Sequence, residues 1–108
     1  MRRVIIESPF SGLIRRNTEY AKRCLEHSLS LGEAPFASHL LYTQVYDDTV
    51  PTLRTTGIAC GYAWTDVADL VAFYVDYGWS TGMNAAWERW WNRETSVATT
   101  VRRIGKNP

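Results

Sequence analysis

Apolar and polar positions along the chain follow two periods, near two in some stretches and near 3.6 in others, and the switches between them mark out the elements. Residues 3–7 form a short β-branched run stopped by Ser8-Pro9-Phe10-Ser11-Gly12, which predicts a strand feeding a turn-rich loop. Asn17 then precedes Thr18-Glu19, and Tyr20, Ala21, Cys24, Leu25, Ser28 and Leu31 keep helical spacing up to Gly32. This predicts a helix over 18–31, capped by Asn17 and stopped by the glycine. A short strand is expected at 35–37, followed by a mobile surface loop over 43–51.

Pro51 suits the first turn of a second helix, with a stripe of Leu53, Ile58, Cys60, Tyr62 and Trp64 that ends near Thr65. Residues 69–75 are apolar on both alternating faces, as a central parallel strand covered by helices requires. A glycine-bearing turn over 77–82 opens a third helix at 83–93, and a last β-branched run at 97–104 predicts a final strand before a frayed tail at 105–108. Strand, helix, strand, helix, strand, helix, strand is the order of an α/β sandwich with a mostly parallel sheet.

The length of 108 residues, with 45% hydrophobic and 21% charged positions, fits one domain over 1–108. Twelve Lys and Arg offset eleven Asp and Glu, leaving no electrostatic footprint for a nucleic-acid polymer or an anionic membrane. No apolar run approaches the roughly 20 residues of a membrane span. The first ten residues reach Glu7 and Pro9 after three apolar positions, too few for a signal peptide, so a cytoplasmic protein is expected.

Cys24 and Cys60 lie in apolar periodic segments without CxxC spacing and read as core residues. Asp47 and Asp48 are adjacent acids without further ligands, so no metal is expected. Arg102, Arg103 and Lys106 read as a solvated basic end. Trp79, Trp87, Trp90 and Trp91 crowd more aromatic surface into one segment than a single helix hides, which points to a subunit interface or a flat ligand.

In open α/β sheets ligands bind beyond the carboxyl ends of the strands, where helix N-termini also present free N–H groups. The loops at 7–12 and 76–82 both fit that place. They combine hydroxyls, glycines and a carboxylate: Ser8, Ser80 and Gly82 suit a phosphate or 5′ end, and Glu7 and Asp76 suit ribose hydroxyls. Neither loop carries a Walker or GxGxxG pattern. Both are equally consistent with ordinary strand-to-helix turns.

The segments VIIESPFSG, NTEYAKRCLEHSLSLG and above all DYGWSTGM resemble the nucleoside 2-deoxyribosyltransferase-like superfamily, including its small phage and bacterial branches and the nucleoside 5′-monophosphate N-glycosidases. The resemblance spans nearly the whole chain. The middle segment, GEAPFASHLLYTQVYDDTVPTLRTTGIACGYAW, is similar to a phage and actinobacterial branch of mostly unassigned function. The resemblance implies a flavodoxin-like, Rossmann-like three-layer sandwich. It also implies a carboxylate that attacks the anomeric carbon of a nucleoside or nucleoside monophosphate, releasing the base and passing the sugar to water or another base. No metal or redox cofactor is implied.

Carried across, Asp76 becomes the strand-end acid on the sugar side, Ser80 and Gly82 the loop residues, and the nucleophile position falls on Ala86. Alanine cannot attack a sugar, and Glu88 lies two positions on, rotated by about 200°. An engineered or natural loss, another acid (Glu7, Asp48 or Asp76), or binding without turnover would each account for this. His39, Tyr42, Asp48 and Arg54 become candidates for base or phosphate recognition, Arg54 through its fork. Phe10, Tyr77 and Trp79 become candidates for stacking on a base, at about 1 to 3 kcal/mol per base. A homo-oligomer, dimer or tetramer, is expected, because pockets in the superfamily are completed by a neighbouring subunit. The alternatives are a non-catalytic nucleotide-binding or sequestering protein and an interaction module working through its tryptophans.

Overall fold

The computed structural model describes residues 1–105. In chain order it contains β1 (Arg3–Glu7), α1 (Ile14–Ser30), β2 (Ala34–Phe36), α2 (Ser38–Leu41), a 3-10 turn (Tyr42–Gln44), α3 (Pro51–Thr65), β3 (Leu70–Tyr74), α4 (Thr81–Trp91) and β4 (Ala98–Arg102). The four strands are parallel throughout, in the order β2-β1-β3-β4. Val4 stands beside Leu70, Ile5 beside Phe36, and Phe73 beside Val101.

Strand alternation sends successive residues to opposite faces. Val4 and Ile6, with Leu70, Ala72 and Tyr74, pack against Tyr20 and Cys24 of α1. Ile5, Val71, Phe73 and Val75 pack instead against Met83, Ala86 and Trp87 of α4, and Phe36 meets Trp64 of α3 with ring centroids 5.5 Å apart. The result is a flavodoxin-like three-layer α/β sandwich, with α1 on one face and α3 and α4 on the other. All five residues of β3 are buried, which accounts for its unbroken apolar run. From β1 the chain crosses to β2 on one side and from β3 to β4 on the other. A crevice therefore opens beyond the carboxyl ends of β1 and β3.

Several boundaries differ from those expected, each for a local reason. α1 begins at Ile14, and Asn17 does not cap it. The Asn17 side chain is buried, and its Nδ2 donates to the carbonyls of Phe10 and Ser11 at 3.0 Å each, tying down the loop after β1. A short amide serves as tether as readily as cap. Gly32 does end the helix, at φ +75°. Residues 38–44, expected partly as loop, form α2 and the 3-10 turn. α2 lies close on α3: a Cβ at Gly61 would sit 2.8 Å from Ser38 Oγ, so a larger residue there would force Ser38 to shift.

The buried positions of α3 are Gly61 and Thr65, whereas Ile58 and Trp64 of the expected stripe are exposed. α4 starts at Thr81 because Ser80 caps it, its Oγ accepting from the Met83 N–H at 3.2 Å. Cys24 is buried and Cys60 half-buried, both free.

Arg102 is not a solvated end. It reaches under α1 to Glu33, with Nη1 to Oε1 and Nη2 to Oε2 both at 2.8 Å, and Ser28 Oγ and Arg2 also donate to the same carboxylate. The Arg102 hydrogen bonds, outweighing burial, pull Glu33 down to about 2. Lys106, placed with this basic end, lies outside the described residues. Among the described residues no helix is long and apolar enough to cross a membrane.

Candidate functional site

A cavity of about 550 Å³ opens at the carboxyl ends of β1 and β3. The end of β1 contributes Glu7, and the loop after it Ser8, Phe10 and Ser11. The α2 and α3 side contributes His39, Tyr42, Arg54 and Tyr62. The loop after β3 and the first turns of α4 contribute Trp79, Ser80, Thr81, Gly82, Met83 and Ala85. Residues 7–12 and 76–82, far apart in sequence, thus meet at one rim.

Ser8 is buried, and its Oγ lies 2.8 Å from His39 Nε2. Burial pushes His39 down to about 4, so near pH 7 the ring is neutral and one of its nitrogens is an acceptor. Arg54 Nη1 donates to Asp48 Oδ2 at 2.6 Å and to Ser11 Oγ at 3.2 Å, and Ser11 Oγ stands 3.4 Å from the same carboxylate oxygen. Tyr42 is fixed by Trp64, whose Nε1 donates to the phenol oxygen at 2.8 Å. Phe73, Trp79 and Trp87 form a ring cluster with centroids 5.1 to 5.5 Å apart, which seats Trp79 at the cavity edge.

Glu7 differs from Asp48 and Asp76, the other acids expected at the site. Its side chain is part-buried, and among the described residues nothing donates a hydrogen bond to it or pairs with it. Burial therefore acts unopposed and pushes its carboxyl up to about 7. Behind it lies a void of about 10 Å³ that Glu7 shares with Tyr62, Ala86 and Arg89. Arg89 pairs with Asp66 at 2.8 Å and stacks over the Tyr62 ring at 4.6 Å.

Of the residues singled out in the sequence, Glu7, Ser8, Phe10, His39, Tyr42, Asp48, Arg54, Trp79, Ser80 and Gly82 line this cavity. Asp76 and Ala86 do not. Alternation puts Asp76 on the face of Ala72 and Tyr74, toward α1. There it accepts from Tyr20 Oη at 2.6 Å and from the amides of Ile104 and Gly105 at 3.0 and 2.8 Å. Burial alone would raise its pKa, but these donors hold it below the usual carboxylate value.

Ala86 packs on the core beside the small void, while its neighbour Ala85 faces the cavity. Glu88 is exposed. Tyr77 also misses the cavity, its ring lying 4.8 Å from that of Tyr20 with Arg16 4.1 Å above it. Tyr62, expected in an apolar stripe, is a cavity wall. The spacing of Gly57, Gly61 and Thr65 was the available signal, since small residues four apart turn the helix's close face toward its neighbours and carry Tyr62 to the adjoining side.

Chemically, the arrangement offers a proton donor and acceptor active near neutral pH in an aromatic-lined cleft, beside a serine hydroxyl and an arginine ion pair. A family described as a domain of unknown function (DUF7768) matches residues 2–100, from β1 into β4. No curated protein and no solved structure matches the chain.

Proposed function

The chain belongs to the DUF7768 family, and for it we propose N-glycosidic bond chemistry on a nucleoside or nucleoside 5′-monophosphate, with the sugar passed to water or to a second base. The observation that carries this reading is Glu7, a carboxyl with a pKa near 7 and no hydrogen-bond donor of its own, at the end of a central strand in a cleft walled by aromatic rings. A volume of about 550 Å³ is suited to a ligand of that size. The sequence resemblance supports the same ligand class.

Protonated Glu7 gives its proton to the leaving base as the bond between base and anomeric carbon breaks, the bonding pair leaving with the base nitrogen. The oxocarbenium-like sugar is then taken by water or by the nitrogen of an incoming base, either of which gives up a proton to the Glu7 carboxylate as its bond to the anomeric carbon forms. Asp48 and Asp76 are poor candidates for this step, because Arg54 engages the first and Tyr20 with two backbone amides engages the second. The rings of Phe10, Tyr42, Tyr62 and Trp79 line the cavity and support a flat base as the ligand. Self-association as a dimer or tetramer belongs to the same proposal, supported by Trp91, which is 70% exposed at the end of α4.

A second reading, ligand capture without turnover, is favoured by one feature: Ala86 stands where the resemblance puts the attacking carboxylate. Incubation with a panel of nucleosides and 5′-monophosphates, with and without an acceptor base, separates the two when free base is followed by chromatography. The wild type is expected to release base, and Glu7→Gln to lower kcat by roughly 10²- to 10³-fold with KM little changed. Ligand binding with no base release by either the wild type or Ala86→Glu would move the assignment to the second reading, whereas release by Ala86→Glu alone would mark the loss of a nucleophile.

A further inference from the structure

We infer that Asp48 is a built-in stand-in for a ligand's phosphate: its carboxylate occupies an anion seat formed by Arg54 and Ser11 on the cavity wall, and a phosphate group enters by displacing it. The inference rests on the nucleotide reading only for what that phosphate is attached to.

The seat has the features of a phosphate site. Among the described residues Arg54 is the one Lys or Arg side chain lining the cavity, and Ser11 Oγ stands beside it, so a cation and a hydroxyl converge on a single oxygen of Asp48. Only Nη1 of the guanidinium is engaged. Among the described residues no acceptor meets Nε or Nη2, so the fork is half used. A carboxylate held through one oxygen leaves those donors unfilled, whereas a phosphate, with three terminal oxygens and up to two charges, can take Nη1, a second guanidinium donor and the serine hydroxyl together.

Seat and occupant also differ in how they are held. Arg54 belongs to the first turns of α3, and the Ser11 carbonyl is anchored by Asn17 at 3.0 Å. Asp48 sits instead in the connection between the 3-10 turn and α3, where Val45, Tyr46 and Val50 are exposed. Asp47 there accepts locally, from Thr49 and from the Val50 amide. Asp48 and Arg54 are themselves 26% and 38% exposed, a setting in which ion pairs are weak and exchangeable. On displacement the phosphate inherits the arginine and Asp48 turns to water, so no charge is left buried without a partner. The inference narrows the substrate class: the cavity should prefer 5′-monophosphates to nucleosides, and hold its own competitor for the difference.

Titration of the full chain by calorimetry with inorganic phosphate, a nucleoside and its 5′-monophosphate tests this. Asp48→Asn is expected to bind phosphate and monophosphate at least tenfold more tightly than wild type, with the nucleoside within twofold. Arg54→Met should weaken both anions at least tenfold, and Ser11→Ala added to Asp48→Asn should cancel most of the gain. Phosphate affinity in Asp48→Asn no tighter than in wild type overturns the inference. A gain for phosphate with no binding of nucleoside or monophosphate would sustain the anion seat while removing the nucleotide reading. Should Asp48→Asn not fold, hydrogen exchange on the wild type decides: phosphate should speed exchange over residues 45–50, and slowed or unchanged exchange there overturns the displacement.

Discussion

Glu7 and Asp76 follow the two middle strands of the same parallel sheet, Glu7 as the last residue of β1 and Asp76 two residues past β3. Three donors from outside the residue converge on the Asp76 carboxylate, one phenol and two backbone amides, and its pKa is held down. None of the described residues donates to Glu7, and its pKa rises to about 7. The difference lies in which face each side chain takes. Asp76 points toward α1, where Tyr20 and the backbone after β4 close around it. Glu7 points toward α3 and α4, whose first turns stand apart and leave the cavity between them. Two acids that look alike as strand-end carboxylates thus become a structural latch and a cavity-facing carboxyl that holds its proton more tightly.

The sharpest way to break this contrast is to remove the latch. Asp76→Ala leaves the Ile104 and Gly105 amides and the Tyr20 hydroxyl without their acceptor, and chemical denaturation at pH 7 is expected to show a loss of about 3 kcal/mol. Any ligand binding should persist in the folded fraction, and a loss of binding without a loss of stability would return Asp76 to the site. The wild-type contribution of Asp76 should be complete above its unfolded pKa near 3.8 and fade on acidification below it, since its folded pKa is the lower one.

Glu7 should show the opposite sign. Its folded pKa of about 7 exceeds the unfolded value of 4.5, so the protonated native form is favoured at low pH, and stability falls as pH rises from 4.5 through 7. Glu7→Gln removes that loss. Urea titrations are expected to find the variant more stable than wild type by roughly 2 kcal/mol at pH 8.5, with the gap closing below pH 4.5. An equal gap at both pH values would mean that Glu7 ionises freely in the folded protein. The smallest effect belongs to Tyr20→Phe, which deletes one of the latch's donors and should cost about 1 kcal/mol in thermal or urea melts.

Much of this was legible along the chain. The periodic switches located β1, α1, α3, β3, α4 and β4 to within a few residues, and the rule that ligands gather at the strand ends brought out Ser8, Trp79, Ser80 and Gly82, all of which line the cavity. Even the error over Asp76 had a readable remedy. In β3 the even positions Ala72 and Tyr74 share its face, and α1 covers that face, so the parity of Asp76 argued against the cavity once the faces were assigned. α2 was harder to see, because four residues carry no helical period, and its close approach to α3 at Gly61 is a tertiary contact.

By itself the sequence determined the layer architecture, the parallel sheet and the two loops that frame the crevice, because burial patterns of period two and 3.6 are local properties of a chain. Only the tertiary structure decided which of the strand-end acids is satisfied and which faces the cavity without a donor among the described residues. Hydrogen-bond donors come from residues tens of positions away, Tyr20 and Ile104 for Asp76 and Arg102 for Glu33, and a carboxyl's affinity for its proton depends on those distant neighbours rather than on the residues beside it.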